Sequence, residues 1–100
     1  MATFVVLGKW TEHGSKDYAT ATDRARANAK AAAAMGGRIV ATYWCLGEYD
    51  FVAIVEAPSD ESMVVGSLIA GSQGTIKTAT MRAFTVDEMD GIIAQAKAAG

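Results

Sequence analysis

The chain has 100 residues, 51% hydrophobic and 20% charged, with one proline and a net charge of −2. That length holds a single domain spanning residues 1–100, and the balance is that of a packed globule rather than a disordered chain. Lysines and arginines are scattered, so no basic track for nucleic acid exists, and no apolar run approaches the ~20 residues that cross a bilayer.

The opening Met1-Ala2-Thr3 leads straight into a strand without a charged leader, so no signal peptide is expected. The strand itself, Thr3 to Trp10, is apolar on both alternating faces, the pattern of a central strand covered on each side. Thr11 to Ser15 reads as a polar loop. From about Thr20 to Met35 an alanine-rich run with Arg24, Arg26 and Lys30 predicts a helix, stopped by Gly36-Gly37, whose small side chains let it lie close to a sheet. Arg38–Leu46 and Tyr49–Ala57 are two further strands. Only Gly47-Glu48 separates them, which predicts a tight type II′ hairpin. Ser59 caps the next helix, with Asp60 and Glu61 in its first turn and Val64, Val65, Leu68 and Ile69 as its apolar stripe. Gly71 to Gly74 ends that helix, and Thr75–Phe84 is a fourth strand, polar at alternate positions and so nearer a sheet edge. Thr85 and Glu88 form a capping box for a last helix carrying Met89, Ile92, Ile93 and Ala96 on one side.

The order β-α-β-β-α-β-α predicts an α+β, ferredoxin-like fold: a four-stranded antiparallel sheet, both crossover helices on one face, and a C-terminal helix. The first and third strands, the most uniformly apolar, are the ones this topology makes central. Their second face is apolar too: Val5 and Leu7, Val52 and Ile54. At about 25 cal/mol per Å², several hundred Å² of bare sheet leaves on the order of 10 kcal/mol of burial unrealised. A second copy packed sheet to sheet covers it, unless the last helix does.

Three stretches then carry a family resemblance: Leu7 to Thr11, Leu46 to Pro58, and Thr78 to Thr85. Together they resemble the GYD-domain family over nearly the whole chain, with Gly47, Tyr49 and Asp50 standing for the three letters. The resemblance implies a ferredoxin-like dimeric α/β barrel and no established activity. The hairpin from Gly47 to Val55, with Asp60 and the Gly74–Thr80 strand, is also similar to the effector-binding module of leucine-responsive-type regulators, which pair through the same sheet and bind metabolites between subunits. No helix-turn-helix is present, so DNA binding is not implied.

Among residues able to carry chemistry, His13 is the only histidine, a candidate base or ligand in a polar loop where a solvated side chain is the ordinary outcome. One histidine and one cysteine make no metal site, and no cofactor is expected. Cys45 alone forms no internal disulfide, which fits a cytoplasmic protein. Asp50 either binds a ligand or pins the hairpin through backbone N–H groups, the latter favoured. Trp10, Tyr18, Tyr43, Trp44 and Tyr49 are rings of the kind that line apolar pockets, though packing accounts for most such rings. Arg82 and Lys77 on the edge strand are candidate anion contacts, with a solvated role the commoner one. Trp10, His13, Tyr18, Tyr49, Asp50 and Arg82 are thus the candidate ligand-binding set. The expected function is a homodimer, or larger homo-oligomer, that binds a small molecule. Its rivals are a cofactor-free isomerase or monooxygenase using His13 or Asp50, and a structural or partner-binding oligomer.

Overall fold

The computed structural model describes all 100 residues. Strand β1, Ala2–Trp10, alternates sides as a pleated chain must, so Phe4, Val6 and Gly8 are buried while Val5 and Leu7 stay partly open. The hydroxyl of Thr11 accepts the Gly14 N–H at 3.1 Å and caps a short helix, α1, Glu12–Lys16. This segment is therefore helical where the sequence suggested a loop; five residues are too few for a helical period to show. The same threonine donates to the Gly74 carbonyl at 2.6 Å, and its N–H to the Thr75 carbonyl at 3.1 Å, seating α1 against a distant turn. A 3-10 turn, Tyr18–Thr20, leads into α2, Ala21–Ala34, and Gly36 with φ +82° ends it.

Strands β2, Arg38–Trp44, and β3, Phe51–Ala57, follow, then helix α3, Asp60–Ser72, strand β4, Ile76–Ala83, and helix α4, Val86–Ala99. The sheet order is β2-β3-β1-β4, every neighbouring pair antiparallel. This is the expected topology, with β1 and β3 central and β4 at an edge. Register places Val6 between Ala53 and Thr80, and a bulge at Val40 interrupts the β2–β3 ladder. Ser59 Oγ accepts the Ser62 N–H at 3.1 Å, and Thr85 and Glu88 complete their capping box, both as expected. That box holds the Glu88 carboxyl below its usual range, chiefly through the bond from the Thr85 backbone N–H and then the one with its side chain.

Two expectations are corrected. The β2–β3 connection is not a two-residue turn: Trp44 pairs with Phe51, leaving six residues, Cys45 to Asp50, between the strands. The Asp50 N–H reaches the Gly8 carbonyl and the Cys45 N–H the Asp50 carbonyl, both at 2.8 Å, which draws this end of the loop toward β1. Most of the α3 stripe faces outward, with Val64, Val65 and Leu68 exposed, while Met63, Gly66, Ser67 and Ala70 turn to the sheet and Ile69, half exposed, sits at the cleft edge. α2, with its short side chains, has no buried residue, and a cleft opens between it and α3.

The core is correspondingly thin: Phe4, Val6, Ala53, Val55 and Ala57, all from the two central strands. Every residue of α4 is exposed, so the open face of the sheet is not roofed by it. The accessible surface is 6661 Å², against about 5,400 Å² for a compact protein of 10.4 kDa. The radius of gyration, 15.4 Å, likewise exceeds the ~13 Å of a compact 100-residue domain.

Candidate functional site

The cleft lies between α2 and α3, above the covered face of the sheet, and encloses about 210 Å³. Val6, Ala53 and Val55 form its floor. Its walls are small because the helices present small residues: Ala21, Ala25 and Ala32 from α2, Gly66, Ser67 and Ala70 from α3. Trp10, Trp44 and Phe51 close one end, brought together because β1 and β2 finish where β3 begins. The Phe51 ring lies flat on Gly8, whose absent Cβ would sit 2.0 Å from the ring carbons, so the ring stays low and leaves the space above it free. Arg24 lines the α2 wall. Its Nη1 donates to the Asp17 carbonyl at 3.0 Å and to the Thr20 hydroxyl, and stands 3.5 Å from the Asp17 carboxylate.

The six candidate residues do not gather in one place. Trp10 alone lines the cleft. Its backbone N–H donates to Asp50 Oδ2 at 2.8 Å, so the Asp50 side chain clasps the loop to the end of β1. Tyr49, beside it, lies under the Lys9 ammonium, 5.2 Å from the ring centre. His13 and Tyr18 are exposed on α1 and the turn after it, away from the cleft lining. Arg82 sits toward the other end of the sheet, where it pairs with Phe4. Its guanidinium stacks 4.5 Å from the Phe84 ring and 5.6 Å from Phe4, with Nε 3.6 Å from Asp60 Oδ1, tying the root of α4 to the sheet and to the start of α3.

Sequence reasoning did not single out Arg24 or Phe51, nor the cleft they share. Two signals pointed there: aromatic residues at strand ends that an antiparallel order brings to one edge, and a helix whose inner side is almost all alanine. No three side chains of metal-binding type come together.

The opposite face of the sheet has a different build. Val5, Leu7, Val52 and Ile54 form an apolar centre flanked by Ala79 and Met81 on β4 and Tyr43 on β2. Charge rims it: Arg38 bonded to Glu56 at 2.9 Å toward one end, Lys9 paired with Lys77 toward the other. An apolar centre with a polar rim is the anatomy of a protein interface.

The fold, then, is that of a small ferredoxin-like α+β protein with one face covered and one open. The GYD domain model matches residues 4–93, and the chain belongs to the GYD domain family. It is 34% identical over 90 residues to the glutamine synthetase and cystathionine beta-lyase binding protein of Thermus thermophilus, covering 89% of this chain and 95% of that one. The crystal structure of TTHA0845, also from Thermus thermophilus, is similar with a TM-score of 0.51 at 27% identity, over 86% of this chain and 96% of that one. The three residues behind the family name have physical tasks here. Gly47 takes φ +120°, which side chains resist; Tyr49 supports Lys9; Asp50 clasps the loop.

Proposed function

We propose that this protein is a partner-binding module: it pairs with a second copy through the open sheet face and docks on a metabolic enzyme. The observation that carries the reading is the surplus surface, about 1,300 Å² beyond a compact monomer, which exceeds the ~800 Å² each side contributes to a standard protein interface. The rimmed apolar face suits the second copy, and α4, which follows edge strand β4 in the chain, leaves Met89, Ile92 and Ile93 exposed as further apolar surface. On the other side of the sheet, the outward stripe of α3 stays accessible in such a pair and is the surface offered to the enzyme.

Glutamine synthetase and cystathionine beta-lyase are the first enzymes to try, because the relative at 34% identity is named for binding them. The test is size-exclusion chromatography of the chain with each purified enzyme from its own source organism. Co-elution with either, lost in Leu68→Lys, is expected; separate elution from both at tens of micromolar contradicts the enzyme-docking reading. The cleft supports a second reading, in which the same module also holds a small molecule.

A further inference from the structure

Three features of the cleft between α2 and α3 narrow what it accepts. The first is size. An apolar cavity of about 150 Å³ takes benzene, so about 210 Å³ suits one ring or two fused rings. The second is the aromatic end, where Trp10, Trp44 and Phe51 offer ring faces and edges to a flat guest. The third is charge. Arg24 and Glu56 are the charged residues of the lining, but the Glu56 side chain alternates to the open face, where Arg38 holds it at 2.9 Å, so Arg24 is the one charged group the cleft itself offers. Arg24 is four-fifths buried and uses only Nη1, toward Asp17 and Thr20; its Nε and Nη2 donors have no protein acceptor. Arg24, though paired through Nη1, thus keeps free donors beside the neutral amides of Asn28 and Gln73, and a guanidinium fork matches a carboxylate.

Resting on the small-molecule reading, we propose that the cleft binds a flat aromatic carboxylate of one or two rings, its ring among Trp10, Trp44 and Phe51 and its anionic end toward Arg24. The site is on the helix side of the sheet and does not use the open face.

The two tryptophans of the chain both line the cleft, so the two indole N–H signals in a ¹H–¹⁵N correlation spectrum report directly on it. Three naphthalene probes of one shape are titrated: 2-naphthoate, 2-naphthalenemethanol and 2-naphthylmethylamine. The expected result is saturable movement of both indole signals, with the acid bound about tenfold more tightly than the alcohol, the worth of one charge-assisted hydrogen bond, and the amine bound least. Arg24→Gln removes the preference for the acid. Gly66→Leu fills the cleft, because a side chain there meets nothing within 4 Å; it abolishes the shifts while the melting temperature holds or rises, which shows that the fold is intact.

If no probe moves the indole signals, the small-molecule reading and this inference fall together. If acid, alcohol and amine bind alike, or Arg24→Gln keeps the preference, the carboxylate assignment is overturned while a site remains. Shifts that persist in Gly66→Leu overturn the placement in the cleft.

Discussion

The two faces of the sheet are made from the same strands and the same kinds of residue, yet they end in different surroundings. On one face Phe4, Val6, Ala53, Val55 and Ala57 are all less than a tenth exposed. On the other, Val5, Leu7, Val52 and Ile54 are shielded only by their own neighbours in the sheet. Hydrophobicity does not separate the two sets. The connections do: two right-handed crossovers place α2 and α3 on the same side, and α4, exposed along its whole length, does not cover the other. An apolar residue thus records that a surface is to be buried, and the topology decides whether the chain itself or another molecule does the burying.

Substitutions on matched positions break that comparison apart. Phe4→Ala, on the covered face, is expected to destabilise the fold by about 3–5 kcal/mol, read from urea unfolding followed by far-UV circular dichroism. Leu7→Lys, three residues on and on the open face, is expected to keep the native spectrum and lose association. The melting temperature of the unaltered chain then rises with protein concentration and that of the variant does not. A variant that unfolds like Phe4→Ala would mean that the open face is part of the single-chain core.

Smaller effects test the ends of the sheet. Asp50→Ala leaves the Trp10 N–H without its acceptor and is expected to cost about 1–3 kcal/mol, with Asp50→Asn recovering much of it, since an amide carbonyl also accepts. Thr85→Ala removes the α4 cap, costing about 1 kcal/mol confined to that helix, visible as faster amide exchange there. The cap also gives α4 a pH dependence. Because the folded Glu88 carboxyl is held below its ordinary value of 4.5, its contribution is complete above that pH and is lost as pH falls through the lowered value. Helicity of α4 therefore declines at acidic pH, and less so in Thr85→Ala.

Much of this architecture was legible in the sequence, because periodicity and caps are local. Strand order followed from the split βαβ arrangement, and Ser59 and Thr85 marked helix starts that the structure keeps. What escaped was set by distant partners. The loop from Cys45 to Asp50 is drawn out by bonds to Gly8 and Trp10, some forty residues away in the chain. α1 is held by Gly74 and Thr75, and Gly14 is needed because its Cβ would come within 2.0 Å of the Thr75 carbonyl oxygen. The rotation of α3, which turns Val64 and Leu68 outward, has no signature in its own residues: the apolar stripe is real and faces away from the sheet. Of the candidate residues, Trp10 was legible as a pocket ring, whereas Arg24 looked like one more surface cation on an alanine-rich helix.

Sedimentation velocity of the unaltered chain at micromolar concentration probes the open face most directly. A species of at least two chains, reduced to one by Leu7→Lys, is the expected outcome. A single-chain mass at every concentration, with Val5, Leu7, Val52 and Ile54 open to solvent, would contradict the proposal that this face exists to be covered by another protein.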